Sequence, residues 1–411
     1  MKYIILFCLL FCFQSTVFGF QKQLTEKPIW TLSEVEKSID YCATKTKATI
    51  VSLNGFDKSP RTIPATEKHW NAKSGGGWTA GFWPGILWYV YEGTGDISMK
   101  LAAEKFTEKI EPVVYETVKG HDLGFIFYCS YGNGYRLTGN QAYKKILLTA
   151  ADSLTHLYNK KVGTILSWPV QVKNKVYAPH NTIIDNMMNL ELLFFAGKNA
   201  TNSRYNAIAI SHANVTQKNQ IRSDATIYHV VVYDDKTGEV IRKCTHQGYA
   251  DNSVWSRGQA WAIYGYAMCY RETGNVQYLK TAKDLLGAYL KRLPTDGVPF
   301  WDFDDPAIPA APKDASAAAV VASALLEMST QNVSVSEKKQ YRSLAEKMLW
   351  TLSSPAYLSN DTNDAFLLHS TGSKPKNVEV DIPIIYADYY YIEALVRLKK
   401  ILLAENKKHV E

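Results

Sequence analysis

The chain of 411 residues lacks the features that mark several common classes of protein. Beyond its N-terminal stretch it has no apolar run long enough to span a membrane. Its net charge of +7 includes no basic block, so we predict no nucleic-acid partner. None of its six cysteines has Cys-x-x-Cys spacing, so we predict no metal site.

The one long apolar run is N-terminal, in MKYIILFCLLFCFQSTVFG. A basic residue precedes this run, and Val17 and Gly19 occupy plausible positions before a cleavage site, which predicts a secretory signal peptide over 1–19. Residues 20–411 contain no Pro/Ser-rich linker, so we expect one domain, exported across the inner membrane to the periplasm. After signal cleavage no membrane contact is predicted, and the oligomeric state stays open.

The rest of the chain is predicted to be all-α. Thr-Gly and Gly-Asn turns follow several helical patterns at similar offsets, which indicates a weak repeat of helical hairpins. Hairpins that stack and close on themselves form an inner ring of buried helices and an outer ring of half-charged ones. Apolar spacing of three and four predicts twelve helices, near 31–52, 79–92, 97–113, 123–138, 141–158, 183–196, 202–215, 254–273, 276–292, 315–330, 334–352 and 387–404.

One β signal interrupts the helices. Two runs of β-branched residues flank a glycine-bearing turn, so we predict a small β-hairpin near 227–244. Its second strand leads into Thr245-His246-Gln247-Gly248, a loop that we expect to line a pocket.

Two carboxylates are the candidate chemical groups. Asp185 lies in the predicted helix 182–196, which is apolar around most of its circumference, and Asp122 opens another helix. One interpretation is that each is a cap or a structural carboxylate. The other is that burial raises the pKa of Asp185, and that Asp122 is coupled to it so that one of the two stays protonated.

Other residues suggest recognition of an anionic sugar. Trp78 follows a glycine run and is a candidate sugar platform, while Arg257 is either a clamp for a substrate carboxylate or the partner of a structural acid. The loop 368–376 is either solvated or holds a sulfate on the neighbouring sugar. Further candidates for the binding surface are His229, His246, Gln247, Trp261, Ser370, Ser373, Lys374 and Lys376.

Seven motifs occur together and in order from about Trp78 to Leu402. They are WTxGFWPGxLW, HDLGF, IIDxxxNLxLLxxA, THQGYxDxSxWxRGQAWAIYG, VPFWDF, DASAAA and ADYYYIEAL. Together they resemble the unsaturated glucuronyl hydrolases, glycoside hydrolase family 88. The resemblance implies an (α/α)6 barrel of six helical hairpins. It also implies removal of Δ4,5-unsaturated glucuronic acid from the non-reducing ends of lyase-generated oligosaccharides, of glycosaminoglycan or ulvan type.

The resemblance also implies roles for individual residues. Asp185 resembles the principal acid/base of the family, and Asp122 resembles its second essential carboxylate. Ala80 departs from the family, whose members often carry Asp there, so no subfamily's substrate is implied. The residues that resemble those around the unsaturated sugar are Trp78, His121, His229, His246, Gln247, Arg257 and Trp261.

The implied reaction is hydration of the C4=C5 enol ether, which needs no metal or organic cofactor because the ring oxygen activates the alkene. Two alternatives stay open. One is an unsaturated rhamnogalacturonyl hydrolase with the same barrel and a pectin-derived substrate. The other is a secreted oligosaccharide-binding protein whose barrel has lost catalysis.

Overall fold

The structure is a computed structural model that describes residues 30–75, 77–201 and 204–408. The predicted signal peptide at 1–19 therefore lies outside the described residues. In this described part of the chain, no helix combines the length and the apolar character that crossing a membrane requires.

Helices dominate the described residues, and the strands are short. The α-helices are α1 Leu32–Leu53, α2 Phe82–Thr94, α3 Ile97–Glu108, α4 Asn133–Thr138, α5 Gln141–Thr155, α6 Pro169–Lys173, α7 Asn186–Asn199, α8 Arg204–Gln220, α9 Ser256–Thr273, α10 Val276–Leu290, α11 Ala315–Thr330, α12 Val335–Leu352 and α13 Ile385–Lys408. The strands are β1 Lys58–Thr62, β2 Asn71–Ser74, β3 Tyr158–Asn159, β4 Thr164–Ile165, β5 His180–Ile183, β6 Val230–Tyr233 and β7 Val240–Cys244. A π-helix, Gly124–Gly132, runs directly into α4.

The helices form two concentric rings. Each inner element contacts the next, and α13 returns to α2, so the inner ring of α2, the π-helix with α4, α7, α9, α11 and α13 is closed. The outer helices α1, α3, α5, α8, α10 and α12 pack against the outside of that ring. Composition explains why a helix lies in the inner ring. The inner helix α11 is rich in alanine, apolar around most of its circumference and buried from Ala315 to Ser329. The arrangement is an (α/α)6 barrel, which confirms the predicted fold class.

The turns between the rings explain the repeat in the sequence. Three inner helices end on a glycine with left-handed backbone, at φ angles of 76°, 69° and 69°. The next residue is Asp or Asn, and its side chain caps the first turn of the outer helix that follows. The three pairs are Gly95 with Asp96, Gly139 with Asn140, and Gly274 with Asn275. Because this hairpin repeats, the inner helices begin at one face of the barrel.

The predicted hairpin near 227–244 is confirmed, since β6 and β7 pair in antiparallel fashion. The structure adds β5, which pairs with the other edge of β6. The prediction of a helix from 182 was wrong, because residues up to Ile183 belong to β5 and α7 begins at Asn186. All four residues of β5 are buried, and a fully buried strand has no alternating pattern that would separate it from a helix. Asp185 therefore precedes a helix instead of lying inside one.

Candidate active site

A cavity of about 320 Å³ opens where the inner helices begin. Five of its lining residues come from the starts of five different inner elements, namely Trp78, Asp122, Asp185, Arg257 and Tyr386. The N-terminal end of a helix carries partial positive charge, so this mouth of the barrel favours an anionic ligand.

The carboxylate of Asp185 does not cap the helix that follows it. Asp185 occupies the N-cap position of α7, yet its side chain caps no backbone N–H group. Its Oδ2 atom is buried and has no hydrogen-bond partner among the described residues. Nε2 of His229 lies 3.7 Å from Oδ2. The interpretation of Asp185 as a helix cap is therefore wrong, and the carboxylate is available to a ligand.

Asp122 is in a similar position. The π-helix that follows it begins at Gly124 without a side-chain cap, and the carboxylate lies 3.6 Å from Nε2 of His121. About a quarter of its side chain, 23%, is accessible, and Asp122 lines the cavity that Asp185 also lines. The two predicted acids are thus brought to one pocket.

Burial controls the protonation of this pair. It raises the pKa of Asp185 to about 6 and the pKa of Asp122 to about 7. For Asp185 the charge of Asp122 adds to the effect of burial, whereas His121 and Arg257 oppose it. The two carboxyls therefore share about one proton between pH 6 and 7, so the protonated form that a general acid requires is populated there.

His229 presents a fixed N–H group to Asp185. Its Nδ1 accepts hydrogen bonds from the backbone N–H groups of His246 and Gln247, both at 3.2 Å. The proton of the neutral ring must therefore reside on Nε2, which faces Asp185. Burial lowers the pKa of His229 well below its usual value, so the ring remains a neutral donor.

Arg257 is held by the protein itself. Its guanidinium donates to the Asp314 carboxylate and to the carbonyl oxygens of Thr371 and Gly372, the last at 2.7 Å, and the side chain is only 2% exposed. Of the two interpretations, the structure therefore shows the pairing with a structural acid. Arg257 still lines the cavity with positive charge, and it fastens the segment 370–379 to the barrel.

The segment 370–379 places its two lysines differently. Lys376 lines the cavity and donates to Nε2 of His246 at 2.6 Å, whereas Lys374 does not line it. Burial and the lysine charge lower the pKa of His246 to about 4, so this ring is neutral and supports Lys376. Ser373 lines the cavity, while Ser370 is fully buried behind it.

The remaining predicted residues form a wall and a floor. Gln247 lines the cavity and donates to the carbonyl oxygen of Gly372 at 3.0 Å. Trp78 is half-buried at the wall, with its ring 5.4 Å from that of Tyr386. Trp261 is buried at 1% exposure below the lining, and its ring contacts Phe125. Of these two predicted tryptophans, therefore, only Trp78 is accessible to a sugar in the cavity.

Sequence reasoning missed several lining residues. Arg61 pairs with Glu379 through two of its three guanidinium nitrogens and lies over the Trp78 ring at 5.6 Å. It comes from β1, before the family-like motifs begin, so no pattern marked it. The other residues that were missed are Trp168, Gln171, Glu379 and Tyr386.

A second cavity, of about 350 Å³, lies farther along the same inner helices. Its acids are paired: Glu191 with Arg271, and Glu393 with Arg397. No cluster of three potential metal ligands occurs among the side chains that the structure describes. The unpaired carboxyls of the first cavity are therefore the stronger candidate for chemistry.

The raised pKa values predict an unusual pH dependence of stability for Asp122. Between pH 4 and 7 the folded chain keeps a proton that the unfolded carboxyl, whose ordinary pKa is 3.8, has lost, so stability falls as pH rises. We expect Asp122→Asn to be more stable than wild type at pH 8, by on the order of 1–2 kcal/mol, and this gain to vanish below about pH 4. Thermal unfolding of both proteins at the two pH values measures this, and an equal difference at both would contradict it.

The closed double ring and the pair of buried carboxyls at its mouth define an (α/α)6-barrel glycoside hydrolase. A family comparison agrees: the chain belongs to Glycosyl Hydrolase Family 88, which it matches over residues 52–400. It is 46% identical over 358 residues to the unsaturated glucuronyl hydrolase of Formosa agariphila, covering 86% of this chain and 87% of the relative. It is 32% identical to the unsaturated chondroitin disaccharide hydrolase of Streptococcus agalactiae, covering 92% and 95%.

Solved structures give the same result. An unsaturated glucuronyl hydrolase specific for heparin superimposes with a TM-score of 0.84 at 39% identity, covering 89% of this chain and 97% of that one. A mutant of the Streptococcus agalactiae enzyme complexed with dGlcA-GalNAc6S gives a TM-score of 0.80 at 30% identity, covering 92% and 95%.

Proposed function

We propose that this protein hydrolyses Δ4,5-unsaturated glucuronic acid from the non-reducing end of oligosaccharides released by polysaccharide lyases. The observation that carries the proposal is the pair of partly buried carboxyls, Asp185 and Asp122, that share one cavity and cap no helix. Membership of family 88 supports the same reaction. A binding protein would gain nothing from two buried acids whose pKa values lie near neutrality.

In the proposed mechanism Asp185 delivers its proton to C4 of the substrate. The C4=C5 π bond is lost, and an oxocarbenium ion forms at C5, which the ring oxygen stabilises. Water then adds at C5, and its proton passes to the Asp185 carboxylate, which restores the acid. The resulting hemiketal opens to a ketone, and the hemiacetal left at C1 collapses to an aldehyde and releases the neighbouring sugar. One water molecule is consumed, and no attack at the anomeric carbon is required.

The other residues of the cavity support this sequence of steps. The helix N-termini and Arg257 favour the substrate's carboxylate at the mouth of the barrel. That carboxylate brings negative charge close to Asp185, which raises the pKa of Asp185 further and keeps its proton in place until transfer. The N–H group of His229 then stabilises the carboxylate that remains.

The experiment is a panel of lyase-generated disaccharides followed by ultraviolet absorbance. Hydration destroys the conjugated chromophore, so absorbance falls during turnover and is unchanged if the protein only binds. Chondroitin, heparin, ulvan and pectin products in the panel separate the glucuronyl from the rhamnogalacturonyl activity. If none of these disaccharides loses its chromophore, the proposal is wrong.

We also infer that the sugar next to the unsaturated uronate carries an anionic group such as sulfate. Lys376 supports this, because it lines the cavity and forms no ion pair with a carboxylate among the described residues. The polar contact that it does form is with the neutral ring of His246, which leaves its charge available to a ligand. Ser373 offers a hydroxyl beside it.

Lys376→Ala is expected to raise KM for sulfated disaccharides about tenfold, since one charge-assisted hydrogen bond is lost, and to leave unsulfated ones nearly unchanged. Lys374→Ala is the matched control, because Lys374 belongs to the same loop but lies outside the lining. Steady-state kinetics on a sulfated and unsulfated pair of substrates measures the difference. Equal effects of Lys376→Ala on both substrates contradict the inference.

The cell compartment is a further proposal. The pattern of residues 1–19 supports cleavage of a signal peptide and function of 20–411 as one catalytic unit in the periplasm. Fractionation of the producing cells, with N-terminal sequencing of the mature protein, tests both statements.

A further inference from the structure

Asn189 connects the two carboxylate-bearing elements. Its side chain is fully buried one turn into α7, and Oδ1 accepts a hydrogen bond from the backbone N–H of Phe125 at 2.9 Å. Its Nδ2 contacts the carbonyl oxygen of Asp185 and Nδ1 of His121, both at 3.4 Å. One amide therefore touches the start of the π-helix, the start of α7 and the histidine next to Asp122.

The two backbone contacts fix the direction of this amide. A backbone N–H group only donates and a carbonyl oxygen only accepts, so the oxygen of Asn189 must face Phe125 and its nitrogen must face Asp185. That nitrogen also faces His121. An amide nitrogen only donates, so Nδ1 of His121 accepts and the proton of the neutral ring resides on Nε2.

The two carboxylate-bearing elements approach each other closely at Asn189. A Cβ atom built on Gly124 would lie 2.5 Å from Cα of Asn189, so the π-helix and α7 are in direct backbone contact at this point. The charged and polar groups near His121 include Asp122 beside it, Asp185 just before α7, and Asn186 and Asn189 from α7. The rings of His212 and His229 also interact with His121.

The protonated nitrogen of His121 faces the active site. Nε2 is buried, has no hydrogen-bond partner among the described residues and lies 3.6 Å from Oδ1 of Asp122. Burial lowers the pKa of His121 to about 4, so the ring is neutral at the pH values where the reaction runs. Contacts of this length commonly shorten when substrate binds.

We propose that Asn189 is a positioning residue that selects the Nε2–H tautomer of His121 and thereby directs an N–H donor at Asp122. His121 and Asp122 then repeat the arrangement of His229 and Asp185, in which two backbone N–H groups select the same tautomer. Each acid of the pair faces one neutral N–H donor of fixed direction. The inference rests on the proposed function, because that function makes Asp122 one of the two carboxyls of the reaction.

The tautomer can be measured without any assay of activity. In wild-type protein labelled with ¹⁵N-histidine, long-range ¹H–¹⁵N correlation spectra distinguish a protonated ring nitrogen from an unprotonated one, and His121→Gln identifies the signal of His121 by its absence. We expect the Nε2–H form at pH 7. The Nδ1–H form would overturn the proposal, whether or not the protein proves to be a hydrolase.

Asn189→Asp tests the consequence. The carboxylate keeps the shape and still accepts from Phe125, but it cannot donate to His121, so the proton moves to Nδ1. We expect kcat to fall about 100-fold with little change in KM, as for a small misplacement of a catalytic group. An unchanged tautomer or an unchanged kcat in this variant contradicts the proposal.

The matched control is Asn133→Asp. Asn133 is another buried amide of the inner ring, and its Nδ2 donates to the carbonyl oxygen of Cys129 and to the Tyr389 hydroxyl, away from the candidate active site. Oδ1 of Asn133 accepts from Arg136 at 2.9 Å, so the introduced carboxylate would keep that partner but lose both Nδ2 contacts. The melting temperature is therefore expected to fall modestly while kcat stays near that of wild type. If kcat falls in both variants, the effect of Asn189→Asp is explained by general destabilisation, and the positioning role is wrong.

Discussion

Asp185→Asn is expected to lower turnover by about 10³-fold or more, while binding of the unsaturated disaccharide is largely retained. The amide has nearly the same shape as the acid but has no proton to give to C4. Because the side chain caps no helix and its Oδ2 atom has no hydrogen-bond partner among the described residues, its replacement is expected to leave the barrel intact. Loss of the substrate chromophore measures turnover, and calorimetric titration of the variant measures binding.

Glu191→Gln provides the matched control for this variant. Glu191 lies on α7, the helix that begins after Asp185, and burial raises its pKa to about 7, yet it pairs with Arg271 in the second cavity. We expect its turnover to stay close to that of wild type, although its melting temperature falls. Near-normal turnover in Asp185→Asn, or equal losses in the two variants, would remove Asp185 from the role of acid.

The fold was predictable because its information is local. The spacing of apolar residues located the twelve ring helices, and the Gly-Asx turns indicated the repeat, since a left-handed glycine and a capping side chain each act within one turn. The predictions of secondary structure were wrong where contacts with distant parts of the chain determine the local conformation. The segment His180–Ile183 is a strand because β6 lies beside it, and the wide turns of Gly124–Gly132 have the same apolar composition as an α-helix.

The sequence predicted most residues of the candidate site, but not how they contact one another or which of them face the cavity. Motif position named both acids, and the structure brings them to one cavity. The sequence could not decide which lysine of the loop faces that cavity. Lys374 and Lys376 are separated by only one residue, and the local backbone conformation determines which of the two side chains points into the cavity. Arg61 was missed for a related reason: only the folding of β1 against the mouth of the barrel brings it to Trp78.

The segment 370–379 depends on Arg257 for its place at the cavity. Arg257 holds two of its carbonyl oxygens, and Gln247 holds one of the same two. Arg61 binds the segment at its other end through Glu379. The wall that carries Lys376 is therefore fixed by buried Arg257 and by partly exposed Arg61 of β1, and the same cations give the cavity its positive charge.

Arg257→Met is accordingly expected to damage both stability and binding. Methionine fills the space between the rings of Trp255 and Tyr386, but it leaves the Asp314 carboxylate, which is 0% exposed, without its counter-charge. Removing one partner of a buried ion pair costs about 3–5 kcal/mol. KM is expected to rise about tenfold or more, because the segment 370–379 loses two hydrogen bonds and the cavity loses a positive charge.

The double variant Arg257→Met/Asp314→Asn separates the two effects. The amide introduced in place of Asp314 would still accept from Ser316 and cap α11, as the carboxylate does, but it carries no charge to leave unpaired. We therefore expect denaturant unfolding to recover most of the lost stability, whereas KM stays raised because the loop carbonyls remain unbound. If KM recovers together with stability, then Arg257 acts only as the partner of Asp314, and the segment 370–379 is positioned by other contacts.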